Sequence, residues 1–184
     1  MPITRTFVIA ALSLGGASHG AFAQNYPARA ARIIVPWTPG GTADLLARIA
    51  GQKFSETWGQ QFIVDNRPGA SGLIGTEVAA KAAPDGHTLL LATTAPNSVA
   101  PSIYSKIPFD PVKDFAWIST VTTYPLALSV APGSPIKSFA DLVQRAKAEP
   151  GKYSFSSSGV GTAPHLIGEW IVSEAGINMV HVPF

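Results

Sequence analysis

Three apolar runs, each closed by a turn and two of them followed by a helical pattern, predict an α/β fold built on a parallel sheet. The runs are Arg32–Trp37, Phe62–Val64 and Thr88–Ala92. Their continuous apolarity, without period-two alternation, marks strands covered on both faces. Composition agrees, since 46% hydrophobic and 13% charged residues among 184 describe a core-forming chain.

The chain opens on Met1–Ala23, where a lone Arg5 precedes the apolar stretch Thr6–Gly16 and then Ala21-Phe22-Ala23. A charged start, a short apolar centre and a small-x-small end are the pattern of a secretory signal peptide, here 1–23, cleaved before Gln24. The apolar stretch falls short of the ~20 residues that span a bilayer. An exported product without membrane insertion is therefore expected, and the periplasm of a Gram-negative bacterium suits a chain with no cysteine. The same absence excludes disulfides, thiol catalysis and cysteine-based zinc sites. Thirteen basic against eleven acidic residues, with no basic run, leave no footprint for nucleic acid.

The first strand breaks at Thr38-Pro39-Gly40-Gly41-Thr42, and a helix follows over Ala43–Thr57 with Leu46, Ile49, Ala50 and Phe54 on one face. The second strand ends at Asp65–Gly69 and leads to an Ala-rich helix over Gly75–Ala82. Pro84-Asp85-Gly86 turns the chain into the third strand, which runs out into Thr93–Asn97. Phe115–Val130 is too long for one strand and predicts two in succession, crossing between lobes. Phe139, Leu142, Val143 and Ala146 then recur at helical spacing. Tyr153–Phe155 predicts a short strand, Ser156–Thr162 a second Gly/Ser loop, and Leu166, Ile167, Trp170 and Ile171 a helix. Asn178–Phe184 begins one more strand, and a sheet that stops there reads as cut short.

Both Gly/Ser loops fall between a strand end and a helix start, the place where open α/β sheets take ligands. A helix N-terminus presents unpaired N–H groups and partial positive charge to an anion. Gly40 and Gly41 permit close backbone approach, and Thr42 either caps the helix or donates a hydroxyl. Ser156, Ser157, Ser158 and Thr162 bring four hydroxyls to the second helix start. Plain caps and turns are the competing reading of each loop. Asp44 and Arg48 read as a first-turn acid with an i+4 arginine. His165 suits either an anion contact or core packing, while His87 and His181 have no ligand-spaced partner in sequence. No nucleophile elbow surrounds Ser71 or Ser157, and Gly69–Thr76 lacks the G-K-[ST] of a phosphate loop. Binding is favoured over catalysis, with no catalytic residue, metal or cofactor expected.

A set of ordered motifs then carries a resemblance. They are Pro39-Gly40-Gly41 with Asp44 and Ala47-Arg48; Asn66-Arg67-Pro68-Gly69-Ala70 with Gly72; and Pro84-Asp85-Gly86-His87-Thr88-Leu89. Asp110-Pro111 with Asp114-Phe115, Pro150-Gly151-Lys152, Gly159-x-Gly161-Thr162 with His165-Leu166, and His181-Val182-Pro183 complete the set. With these the chain resembles the substrate-binding receptors of tripartite tricarboxylate transporters, the Bug-type periplasmic solute-binding proteins. The resemblance implies a two-lobe, type II-like periplasmic binding protein with crossing hinge strands and a small carboxylate in the interlobe cleft. It implies a monomer that delivers solute to membrane transporter subunits. Carried over, the ligand-binding positions are Pro39, Gly40, Gly41, Thr42, Thr93, Thr94, Asn97, Ser157, Ser158, Gly159, Gly161, Thr162 and His165. Family members are longer, so the expected division is a first lobe over 24–124 without its returning segment, then the start of a C-terminally truncated second lobe over 125–184. Two other readings compete: a nonfunctional truncated product, and a secreted α/β enzyme, for which the sequence offers no nucleophile–base pair.

Overall fold

The structure, a computed structural model, describes residues 26–184, so the expected signal peptide and its cleavage site lie outside the described residues. Strand β1 (Ala31–Val35) is central, with β2 (Phe62–Asn66) and β3 (Thr88–Leu90) parallel to it on either side, in the order β2-β1-β3. Ile33 stands opposite Val64 on one side and Leu89 on the other. The α/β class with parallel strands is as the sequence predicts. Ala31, Ile33, Val35 and Phe62 form the core with Ala47 of the first helix, and Trp37, Phe54, Val64, Leu89 and Leu91 pack around them. Each large side chain so buried contributes about 1.5–3 kcal/mol.

Helix α1 (Thr42–Trp58) ends at Gly59, whose left-handed backbone (φ 70°) closes it by donating to Ser55 O. Of the expected face Phe54 packs on the core and Leu46 and Ala50 are half-buried, but the closest contact with the sheet is made beside it. Asp44, Ala47 and Gly51 are its buried residues, whereas Ile49 is 53% exposed. The reason is close approach: a Cβ on Gly51 would lie 3.1 Å from the Phe62 carbonyl oxygen, so small residues rather than large ones face the sheet. Helix α2 (Leu73–Ala80) meets the end of β1 in the same way through Gly75.

After β3 the chain makes one π-type turn over Ala95–Val99 and continues as the short helix α3 (Ala100–Ile103). The two strands expected within Phe115–Val130 do not form among the described residues. β-propensity becomes a strand only against a ladder partner, and nothing described here pairs with this stretch. Ile118, Val121, Tyr124, Leu128 and Val130 are all exposed.

A second, smaller unit follows. Ser138 caps helix α4 (Phe139–Ala148) by accepting from the Asp141 N–H at 3.1 Å, and Leu142 and Ala146 are its buried face. Strands β4 (Ser154–Ser157) and β5 (Val180–Pro183) pair in parallel, and α5 (Ala163–Ala175) crosses between them. Gly168 lets α5 sit directly on the Phe155 ring, since a Cβ there would overlap it. Among the described residues no helix is long and apolar enough to cross a membrane.

Candidate functional site

Parallel pairing brings the C-terminal ends of β1, β2 and β3 to one edge of the sheet, and the loops leaving them are cross-tied. Trp37 Nε1 donates to Thr93 Oγ1 at 3.1 Å, and Asn66 Nδ2 donates to the Trp37 carbonyl at 3.1 Å. Beyond Trp37 the stretch Thr38–Thr42 is exposed. Gly40 holds a positive φ of 88°, which favours glycine, while Gly41 is extended (φ −80°, ψ 172°) as the N-cap of α1. No side chain caps this helix start, so its first N–H groups stay available. Thr42 lies inside the helix as its first residue rather than capping it.

Asp44 reaches back from the first turn and fastens the loop. Its Oδ2 accepts from the Gly40 N–H at 2.9 Å and from Arg48 Nε at 3.0 Å. The Arg48 guanidinium, then the Gly40 amide, lower its pKa to about 2. The expected i+4 pair is thus present. The carboxylate also tethers the glycine turn, and its Oδ1 is buried without a partner.

On the neighbouring loop Thr93 is occupied by Trp37, Thr94 is exposed, and Asn97 sits in the π-type turn. Both Asn97 amide atoms are buried and unpartnered. Buried amide groups rarely stay unpaired, and π-type turns concentrate at functional positions. Neither feature shows in the sequence, which marks Asn97 only by its place after a strand.

A further segment of the site escapes the sequence reading. Gly69, Ala70, Ser71 and Gly72 all have positive φ, including 48° at Ala70 and 52° at Ser71. Two successive non-glycine residues in that region store strain, of order 1–3 kcal/mol each. The turn packs against the other loops: a Cβ on Gly72 would lie 3.2 Å from Pro96 Cγ, and Gly159 abuts Ser71 Oγ. The density of glycine around Ala70-Ser71 is the signal available in the sequence.

The Gly/Ser loop after β4 therefore closes on the first sheet's loops, with Gly159 against Ser71 and Gly161 against Ile103 and Val99. Inside it two of the four expected free hydroxyls, Ser157 and Thr162, are engaged, while Ser156 and Ser158 are exposed. Thr162 Oγ1 donates to the Gly159 carbonyl at 2.7 Å. Ser157 Oγ donates to the same carbonyl at 3.1 Å, accepts from the Gly159 N–H at 3.2 Å, and lies 2.7 Å from His181 Nε2. Ser157, Gly159, Gly161 and Thr162 are buried, and Ser158 is exposed. Thr162 is the N-cap of α5 without a side-chain cap bond, so the N–H groups of Ala163 and His165 start this helix uncapped, Pro164 between them having none. His165 Nδ1 accepts from the Gly161 N–H at 3.2 Å.

The fold also gives His181 partners that sequence spacing does not reveal. Its ring centroid lies 4.2 Å from that of His165, and donor atoms of His165, Glu169 and His181 come within 4.8 Å of one another. His87 is remote from these loops, at the opposite edge of the sheet where β3 begins, with its Nδ1 3.1 Å from the Asp85 carbonyl.

Two parallel sheets whose glycine-rich loops meet at helix starts are an architecture that periplasmic binding proteins share. Comparison with known proteins bears this out. The family described as tripartite tricarboxylate transporter family receptor matches residues 46–184. BugT of Bordetella pertussis is 35% identical over 100% of this chain and 57% of its own length. The R. palustris protein Rpa4515, solved with adipate, is 34% identical with a TM-score of 0.83, covering 86% of this chain and 53% of that one. MatC of Rhodopseudomonas palustris, solved with bound malate, is 26% identical with a TM-score of 0.78, over 86% and 54% of the two chains. The chain belongs to the tripartite tricarboxylate transporter receptor family, whose members are solute-binding receptors rather than enzymes. It spans about half the length of the relatives it matches.

Proposed function

We propose that this chain contributes the capture site of a periplasmic receptor that takes a small carboxylate and hands it to the membrane subunits of a tripartite transporter. The observation that carries the reading is a pair of helix starts, α1 and α5, both without side-chain caps and both reached through glycine loops at sheet edges. Each such terminus is worth about 0.3–1 kcal/mol to an anion, more when partly buried. Around them stand Pro39–Thr42, Thr93, Thr94 and Asn97, then Ser157–Gly159 and Gly161–His165, with the strained Ser71 between. The unpaired Asn97 amide supplies both a donor and an acceptor for a ligand group. The adipate and malate held by the two R. palustris relatives support the choice of ligand class. In this reading 1–23 directs export and is removed, 24–124 and 125–184 fall in different lobes, and the receptor works as a monomer.

Thermal-shift screening against adipate, malate and a wider carboxylate set tests it, because a ligand of the native state stabilises by about 2.7 kcal/mol at a hundred times its Kd. Gly41→Val is the matching variant. A Cβ at Gly41 meets only the Thr38 carbonyl oxygen at 3.8 Å, and its φ suits any residue, so the fold accepts the change. Loss of the ligand-induced shift with the unliganded Tm retained is expected. An undiminished shift removes the first loop from the site.

A further inference from the structure

His165 lies directly behind the α5 helix start, and the chemistry of its ring decides what it does there. Its Nδ1 accepts the Gly161 N–H at 3.2 Å, so that nitrogen carries a lone pair and the neutral ring bears its proton on Nε2. Nε2 points toward Glu169 Oε1, 3.8 Å away. His181 differs, because Ser157 Oγ can accept a proton from its Nε2 while donating its own to the Gly159 carbonyl. Protonating His181 leaves every bond of that chain intact. Protonating His165 sets Nδ1–H against the Gly161 N–H, and Gly161 loses its tie to α5 while the Ser157 and Thr162 bonds to Gly159 remain. The charged and titratable groups facing His165 are Glu169 on its own helix and His181 on β5; β4 and the 158–162 loop contribute none.

We infer that His165 is a positioning residue which, through Gly161, holds the Ser157–Thr162 loop in its anion-accepting form only while the ring is neutral, making solute affinity fall on acidification. This rests on the carboxylate-receptor reading and adds a regulation to it. The direction follows from the bond itself, since an imidazolium has no ring nitrogen left to accept the Gly161 N–H. A cation bridging His165, Glu169 and His181 is the alternative use of the cluster. Metal-bound histidines normally donate from the second ring nitrogen, whereas here that nitrogen accepts.

The test has a ligand-free arm. Long-range 15N–1H spectra of the full chain, at a concentration where it sediments as a single species, read the His165 tautomer, and the backbone amides of Gly159, Gly161 and Thr162 are followed from pH 8.0 to 5.5. The Nε2–H tautomer is expected, with the three amides shifting on the His165 midpoint. In His165→Asn, whose Oδ1 replaces Nδ1 as acceptor, that inflection should vanish. An Nδ1–H tautomer, loop amides indifferent to the His165 titration, or Zn2+ at micromolar concentration displacing the ring proton would each overturn the proposal. The binding arm uses adipate and malate by calorimetry. Affinity one pH unit below the His165 midpoint should be about tenfold weaker than at pH 8.0, as expected when only a tenth of the loops are competent. The ratio should collapse toward one in His165→Asn, persist in His181→Gln, and a wild-type ratio near one would refute the inference. Failure of both acids to bind at pH 8.0 while the tautomer and amide results hold counts against the receptor reading for these ligands and leaves the His165–Gly161 coupling standing.

Discussion

At the level of single residues, Asp44 and Asn97 make opposite predictions. Asp44 is a carboxylate whose native partners, Arg48 and the Gly40 amide, hold its pKa at about 2, below the ordinary carboxylate value near 3.8. A group with a depressed native pKa stabilises the fold above its unfolded pKa and loses that contribution as pH falls through the native one. Asp44→Asn should therefore lower the denaturation midpoint at pH 5–7, and the gap to wild type should close between about pH 4 and pH 2. A gap that persists unchanged below pH 2 would mean the carboxylate charge is not what fastens the loop. Asn97, by contrast, keeps two unpaired polar atoms buried. Replacing an unsatisfied polar group with an apolar one of similar shape is neutral or stabilising, so Asn97→Leu should gain up to about 1 kcal/mol in urea unfolding while weakening carboxylate binding. Lower stability together with unchanged binding would show that the amide serves the fold instead. The two residues also differ in legibility. The Asp44–Arg48 pair follows from helical spacing within one turn. The strain at Ala70 and Ser71 depends on how Gly69–Gly72 is pressed between Pro96 and Gly159, contacts that no local pattern encodes.

Elements were legible where their stabilising contacts are local. Three apolar runs became β1, β2 and β3, and the periodic stretches became α1, α2, α4 and α5, because period and capping chemistry lie within each segment. The side of α1 that meets the sheet was not legible: hydrophobic periodicity points to Leu46 and Ile49, but backbone approach is governed by Ala47 and Gly51. The same principle is sharper at Gly75 of α2, where a Cβ would lie 2.6 Å from the Arg67 carbonyl oxygen and 2.7 Å from Pro36 Cα. Backbone atoms cannot step aside as a flexible side chain does. Gly75→Ala should cost about 1–3 kcal/mol or more by overpacking, despite alanine's better helix propensity. A variant as stable as wild type would mean that α2 can move off β1 freely. Ser138→Ala should cost about 1 kcal/mol through loss of the α4 cap, read as a shift in urea midpoint at constant m-value.

For the whole molecule the decisive feature is apolar surface left without cover. Trp117, Ile118, Val121, Tyr124, Leu126, Leu128 and Val130 follow one another along a stretch that pairs with no strand among the described residues, and Trp170 on α5 is 67% exposed beside Phe139. A run of exposed large apolar side chains such as this favours association with another apolar surface. Among the described residues the β4–β5 sheet has two strands, below the number that is stable independently in water. The first sheet, by contrast, encloses Ile34 and Val35 completely. A polypeptide of residues 24–184 prepared by itself should therefore unfold in two steps. Amide exchange should be fast throughout β4 and β5 and slowest in β1, as local stability follows buried apolar contact. The same preparation should bind a hydrophobic dye and sediment as a mixture of associated species. Sequence periodicity could not foretell this, because Phe115–Val130 has the composition of strands, and pairing with a ladder partner, which that composition does not encode, decides between strand and exposed surface. A monomeric, dye-silent polypeptide with one cooperative transition would show that the stretch 115–130 finds cover within these residues and that the two sheets stabilise each other as one body.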